Sequence, residues 1–209
     1  NPDPNKNDLC LVYSERKYNA TAVYTTNKVK GAPILVTRQN LEANGGQAQA
    51  VVANSKNANT CNANGVEIAE GTCRLAADAL GLKPEDVIVA STGVIGQPMS
   101  LEPFANSMQR LAQGLCPEGH AKAANAIMTT DTVPKEVAVE FLLGGKTCRL
   151  GGMAKGSVMI HPNMATTLNF ITSDVAISSA MIEKALQDVV KITYNCLSID
   201  GDTSTNDMV

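Results

Sequence analysis

The segment richest in reactive groups is Lys155-Gly156-Ser157-Val158-Met159-Ile160-His161-Pro162-Asn163-Met164-Ala165-Thr166. A lysine, a glycine hinge and a Pro-Asn turn lead into a small residue followed by threonine. A threonine hydroxyl is a poor nucleophile until a base removes its proton. One solution makes the threonine the first residue of a chain. Its own α-amino group, with a pKa of about 7.7–8.0, then acts as the base near physiological pH. That requires breaking the Ala165–Thr166 bond. Attack of the Thr166 hydroxyl on the Ala165 carbonyl, then hydrolysis of the resulting ester, does so without a partner protease. Taken alone, the string does not separate such a nucleophile from a structural threonine that opens a strand.

Other reactive side chains offer less. His161 beside Pro162 is a lone histidine and takes no assigned role. His120 sits at a polar helix start and is expected to face solvent. Asp200, Asp202 and Asp207 form an acidic stretch, but the spacing and terminal glutamate of a calcium loop are missing, so a solvated, hydrogen-bonded loop is expected. Six cysteines stand at Cys10, Cys61, Cys73, Cys116, Cys148 and Cys196, with no C-x-x-C pair and no histidine at ligand spacing. No zinc or other metal site is expected. A chain long enough to build a core does not need a disulfide framework. Reduced cysteines in the core of a cytoplasmic protein are expected, with the eight methionines also in the core.

The elements that must position these groups are short and mixed. Strands are predicted at Leu9 to Tyr13, Thr21 to Thr25, Pro33 to Thr37 and Gln49 to Ala53. Val66 to Leu80 reads as a helix stopped by Gly81, with Ile68, Cys73, Leu75, Ala76 and Leu80 roughly on one side. Asp86 to Ala90 is a continuous apolar run, so a buried strand. It ends in Ser91-Thr92-Gly93-Val94-Ile95-Gly96, whose glycines permit a sharp turn. Helices follow at about Leu101 to Leu115 and Ala121 to Met128. Val137 to Leu143 and Lys146 to Leu150 flank Gly144-Gly145 as a hairpin. A strand from Thr166 to Thr172 precedes an amphipathic helix from Ser178 to Leu197, with Ile182, Leu186, Val189 and Thr193 facing inward. Strands and helices do not alternate cleanly, which favours an α+β layered fold over a doubly wound one.

The bulk composition agrees. In 209 residues, 44% are hydrophobic, 18% charged and 3% aromatic, with no tryptophan. That describes a globular core built from aliphatic residues and methionine. A net charge of −3 argues against nucleic acid, which demands clustered lysine and arginine. No apolar run reaches membrane-spanning length and no signal-peptide pattern opens the chain. Both ends read as cut, from Asn1-Pro2-Asp3-Pro4 to Asn206-Asp207-Met208-Val209. One domain over 1–209 is expected, as a fragment or one piece of a longer processed precursor.

Several segments occur together in one order: Thr25-Thr26-Asn27-Lys28-Val29-Lys30-Gly31-Ala32-Pro33, Asn54-Ser55-Lys56-Asn57-Ala58-Asn59, Ser91 to Gly96, Thr129-Thr130-Asp131-Thr132, the Lys155 to Thr166 string, and Asp200 to Asp207. Together they resemble the N-terminal portion of the ornithine acetyltransferase family, the bifunctional glutamate N-acetyltransferases of arginine biosynthesis. Val158 departs from the family's usual glycine, and Lys56 and Thr60 to Asn64 depart from its asparagine-loop pattern.

The resemblance implies a layered α/β sandwich of the self-processing, N-terminal-nucleophile-like kind. It implies that Thr166 is the nucleophile and Ala165–Thr166 the cleaved bond. Thr92, by its hydroxyl, and Gly93, by its backbone N–H, are implied as the oxyanion pair, a role that suits two fixed donors after a buried strand. Lys155 and Thr129, or its neighbour Thr130, are implied as substrate contacts, with Lys155 pairing with a substrate carboxylate. On the residues alone, Lys155 also reads as a solvated lysine before a glycine, and Thr92-Gly93 also as a simple strand-to-helix turn. The implied reaction carries acetyl from N-acetylornithine to glutamate through a threonine acyl-enzyme, with ping-pong kinetics and no cofactor. Acetyl-coenzyme A stays open as a further donor. The implied partner is a complementary C-terminal chain of the same precursor, in a heterotetramer of two chain pairs. A hydrolase using the same threonine (an amidase or aminopeptidase) and a non-catalytic module are the rival classes.

Overall fold

A computed structural model describes residues 6–161 and 167–209. The first sheet holds β1 (Leu9–Asn19), β2 (Gln47–Asn54) and β3 (Val87–Ser91) in that order, β1 antiparallel and β3 parallel to β2. The second is antiparallel: β4 (Lys135–Leu143), β5 (Lys146–Lys155) and β6 (Leu168–Ser173). Among the described residues five α-helices complete the fold: α1 (Ala32–Ala43), α2 (Gly65–Leu80), α3 (Glu102–Gln113), α4 (His120–Ala126) and α5 (Ser179–Ile192). This is an α+β layered fold.

Strand alternation builds the layers. Leu11, Ala50, Val52, Val87 and Val89 point from the first sheet toward α1, α2 and α3, where they meet Val36, Cys73, Ala76 and Met108. Their neighbours Cys10, Ala53 and Ala90 point the other way, against Leu168 and Phe170 of β6, Ala126 and Ile127 at the end of α4, and Met208. Successive residues on a strand face opposite sides, so one short run serves two cores. Burial pushes the Cys10 and Cys73 thiols up to about 12, which leaves both as inert packing groups.

The hairpin between β4 and β5 turns on Gly144 and Gly145, at φ +55° and +76°, the left-handed geometry of a tight two-residue turn. The Pro33 to Thr37 strand expectation is wrong, because Ala32–Ala43 forms α1. Proline is well tolerated in a first helical turn, and the β-branched Val36 and Thr37 pack inward from the helix. Thr37 Oγ1 donates to the Val89 carbonyl at 2.7 Å and accepts from the Val89 N–H at 3.0 Å. Asn40 Nδ2 donates to the Val87 carbonyl at 2.9 Å. Side chains of α1 thus close the outer edge of β3.

The Thr21 to Thr25 strand reduces to a bridge of Tyr24 with Met208, flanked by backbone bonds of Val23 and Thr25. In α5 the inward stripe is Ile182, Leu186 and Val190; Val189 and Thr193 are exposed, and the helix stops at Ile192. The cysteine expectation holds for Cys10 and Cys73, but Cys61, Cys116 and Cys196 are exposed free thiols and Cys148 is half-buried. Met108 and Met208 are buried, whereas Met181 is exposed. Among the described residues no helix is long and apolar enough to cross a membrane.

Candidate active site

Three stretches distant in sequence meet at the C-terminal end of β3. There the chain turns through Ser91, Thr92 and Gly93 against the asparagine-rich loop after β2. Thr92 N–H donates to the Asn54 carbonyl at 3.0 Å, Val94 N–H to Lys56 at 2.9 Å, and Ala58 N–H to Val94 at 2.9 Å. Asparagine side chains supply the bonds that a regular ladder would: Asn54 Nδ2 to the Asn57 carbonyl at 2.9 Å, and Ser91 Oγ to Asn54 Oδ1 at 2.6 Å. The approach is so close that a Cβ on Gly93 would stand 2.1 Å from the Lys56 carbonyl carbon.

Lys155 ends β5 and is buried, so its reading as a solvated lysine is excluded. Its Nζ donates to Thr92 Oγ1 at 3.2 Å. Burial pushes the Lys155 ammonium below its ordinary range, while the carboxyls of Asp131 and Asp207 work in the opposite direction. Asp131 ties the Thr129 turn to this strand end: Oδ1 accepts from Gly156 N–H at 2.8 Å and Lys135 Nζ at 2.7 Å, and Oδ2 from Thr129 N–H at 3.3 Å. Burial alone would raise the Asp131 carboxyl, but these bonds outweigh it and hold it below the usual range. Thr130 Oγ1 and Ser157 Oγ meet at 2.6 Å, so both threonines lie beside the segment after Lys155.

The third stretch is the acidic tail of the chain. Asp200 is exposed, as expected, and accepts from the N–H groups of Met159 and Ile160 at 2.6 and 2.9 Å. Residues 204–209 are buried instead, wedged between residues 23–25 and β6. Thr25 N–H donates to the Asp207 carbonyl at 3.0 Å, Met208 N–H to Thr167 at 3.0 Å, and Asn169 N–H to Met208 at 3.0 Å. Asp207 is 0% exposed, which overturns its expected solvated place. Its Oδ1 accepts from the Thr167 N–H at 2.9 Å. Burial pushes the Asp207 carboxyl up to about 7 against the pull of that bond, of the nearby Ser204 and Thr25 hydroxyls and of Lys155. Neither hydroxyl bonds Oδ2 with ordinary geometry, and Oδ2 has no hydrogen-bond partner among the described residues.

Thr92, Lys155, Thr167 and Asp207 line a small cavity of about 10 Å³, room for about one water. A far larger cleft of about 1490 Å³ runs between β1, the end of α3 and the β4–β5 hairpin. Among the described residues, none of Thr92, Gly93, Thr129 and Lys155 lines it.

Of the sequence-derived site, Thr92, Gly93, Thr129 and Lys155 gather in one region. Ala165 and Thr166 lie outside the described residues. The nearest described position is Thr167, whose Oγ1 donates to the Lys155 carbonyl at 3.0 Å.

The ArgJ family profile matches residues 3–209. This chain belongs to the ArgJ family. It is 50% identical over 205 residues to the arginine biosynthesis bifunctional protein ArgJ of Symbiobacterium thermophilum, which covers 98% of this chain and 50% of that protein. The ArgJ protein of Caldanaerobacter subterraneus subsp. tengcongensis is 48% identical, over 97% of this chain and 50% of its own length. The chain thus spans about half the length of these curated relatives. Among solved structures, arginine biosynthesis bifunctional protein ArgJ from Bacillus halodurans matches with a TM-score of 0.72 and 38% identity, over 78% of this chain and 85% of that one. Ornithine acetyltransferase complexed with ornithine, from Mycobacterium tuberculosis, matches with a TM-score of 0.64 and 30% identity, over 77% and 84%.

Sequence reasoning missed Asn206, which joins all of this. Its Nδ2 donates to the carbonyls of Ala58 at 2.7 Å and Ser91 at 3.0 Å, and its Oδ1 accepts from the Thr60 and Thr205 hydroxyls, each at 2.6 Å. One amide thereby fixes the asparagine loop, the Thr92 turn and the tail together. A polar run leading directly into apolar Met208-Val209 is the signal that a buried segment, bridged at Met208 to Tyr24 and Leu168, lies there instead of a solvated loop.

Proposed function

We propose that this chain carries the nucleophile half of a self-cleaving acetyltransferase of arginine biosynthesis. The observation that carries the reading is the bond from Lys155 Nζ to Thr92 Oγ1, which joins a buried cation to the oxyanion turn beside Thr167. The names of the ArgJ and ornithine acetyltransferase relatives give the substrate class.

In the self-cleavage, the Thr166 hydroxyl oxygen bonds to the Ala165 carbonyl carbon, the hydroxyl proton passes to the Thr166 nitrogen, and the Ala165–Thr166 C–N bond breaks to leave an ester and an amine. Water then hydrolyses the ester and leaves Thr166 with a free α-amino group. In transfer, that amine takes the hydroxyl proton while the oxygen attacks the acetyl carbon of N-acetylornithine. Thr92 and the Gly93 N–H face the developing oxyanion. The leaving amine takes the proton and departs as ornithine; the amine of glutamate then attacks the ester and regenerates Thr166. Lys155, with Thr129 at its side, pairs with a substrate carboxylate. No metal or organic cofactor takes part, and acetyl-coenzyme A enters only as an alternative acetyl donor.

The proposed setting is a cytoplasmic heterotetramer of two chain pairs, the second chain of each pair coming from the same precursor. Val137, Val139, Phe141, Leu143 and Ile171, an exposed apolar stripe on the outer face of β4–β6, support a protein partner. The test is intact mass and product analysis of the full-length protein. A split between Ala165 and Thr166, with acetylglutamate formed from N-acetylornithine and glutamate, supports the reading. Free acetate in the presence of glutamate would favour a hydrolase, and a protein that never splits would favour a non-catalytic module.

A further inference from the structure

Asp207 takes no part in the reaction just described, yet it is a fully buried charge-bearing residue at the site. Its Oδ1 accepts the N–H of Thr167, the amide formed with the carbonyl carbon of Thr166. Its own backbone is clamped on both sides, by Thr25 N–H on its carbonyl and by the Met208 bond to the Thr167 carbonyl. Together the Oδ1 bond and the Met208 bond tie Thr167 to a segment that is anchored independently by Thr25. Across the small cavity stands Lys155, whose carbonyl holds Thr167 Oγ1 and whose Nζ reaches Thr92. A carboxyl that is 0% exposed, with one oxygen lacking a partner among the described residues, is expensive to bury without a task.

We propose that Asp207 is a positioning residue for self-cleavage, holding the Thr167 N–H next to the nucleophile through Oδ1 and facing the Lys155 ammonium as a second counter-charge beside Asp131. It acts through Thr167 and Lys155 and itself forms no bond to the reacting carbon. The charged groups around it are few. Lys155 on β5 is the facing cation, and Asp131, itself paired with Lys135, acts on Lys155 more strongly than Asp207 does. An ionised Asp207 accepts the Thr167 N–H more strongly and balances Lys155; a protonated one does neither as well.

The inference rests on the reading of Thr166 as the self-cleaving nucleophile, and the experiment separates the two. The first-order rate of cleavage is followed by intact mass in the full-length protein across pH 5.5 to 9 (about neutral ± two, the range that brackets a carboxyl raised to about 7). Asp207→Ala is expected to slow cleavage at least about tenfold, the worth of one charge-assisted hydrogen bond. Asp207→Asn keeps an oxygen for the Thr167 N–H and is expected to recover much of the rate. It should also lose the rise of rate through about pH 7 that the wild type shows as Asp207 ionises. Should Asp207→Ala not fold, the isosteric asparagine variant decides alone. A folded Asp207→Asn with the wild-type rate and pH profile overturns the proposal. Thr166→Ala is run in parallel: cleavage that survives it sinks the underlying reading, whatever Asp207 does.

Discussion

A Cβ placed on Gly93 would stand 2.1 Å from the carbonyl carbon of Lys56 and 2.3 Å from its oxygen. Gly93 also sits at φ +131°, where L side chains are rarely found. Both conditions come from the asparagine loop folding back on the Thr92 turn. Gly93→Ala must open that contact, because backbone atoms cannot rotate away as a side-chain tip can. We expect a loss of at least about 3 kcal/mol in urea unfolding and no cleavage even where the protein stays folded. A stable, fully processed Gly93→Ala protein would show that the close approach is dispensable.

Asn206 makes four hydrogen bonds from one amide, to Ala58, Ser91, Thr60 and Thr205. Asn206→Ala leaves two buried carbonyls and two hydroxyls without that partner. At about 1 kcal/mol net for each, the expected loss is about 3–4 kcal/mol, read from denaturant unfolding. Asn206→Asp should be nearly as damaging, since a carboxylate cannot donate to the Ala58 and Ser91 carbonyls. Equal stability of Asn206→Asp and wild type at neutral pH would contradict this account of its role.

The local devices were legible in the sequence: the Gly144-Gly145 hairpin, the α2 stop at Gly81, and the buried β3 run leading into the Thr92 turn. Each depends on backbone preferences that neighbouring residues set. What escaped depends on distant partners. Ile34, Val36 and Thr37 have strand-like side chains, but Thr37 and Asn40 become a helix's means of closing the β3 edge, which no window around position 37 contains. The Asp200 to Asp207 stretch reads as uniformly solvated, yet it crosses from surface to core. Asp200, itself exposed, caps the N–H groups of Met159 and Ile160, while Asp207 is enclosed by residues 23–25 and Thr167. Ordered motifs brought Thr92, Thr129 and Lys155 to one region, while Asn206 and Asp131, which hold them there, needed the fold.

Lys155 is a buried cation between the Asp131 and Asp207 carboxyls. Lys155→Met keeps most of the side chain's volume and removes the charge and the bond to Thr92. Acetyl transfer to glutamate is expected to fall at least tenfold (about 1.4 kcal/mol of transition-state binding), with a raised KM for glutamate, if Lys155 pairs with the substrate carboxylate. Asp207 should titrate higher still without its facing cation. Steady-state kinetics in the full-length protein check the first point; an unchanged KM would reassign Lys155 to a structural role.

Asp207 also makes a prediction about stability against pH. Its folded-state carboxyl lies near 7, raised from 3.8 by burial. Below about pH 4 both folded and unfolded chains hold the proton, and the group imposes no penalty. As pH rises from there toward 7, the unfolded chain ionises first and gains relative to the folded one. Above about 7 both are ionised and the penalty is complete, on the order of 4 kcal/mol by linkage. The sign is opposite to that of Asp131, whose lowered carboxyl stabilises the fold once ionised. Asp207→Asn removes only the Asp207 contribution. The stability of the variant minus that of wild type should therefore climb between about pH 4 and 7 and level off above. Urea unfolding of both proteins over that range reads the difference directly, and a flat difference would mean that Asp207 ionises in the fold as readily as in water.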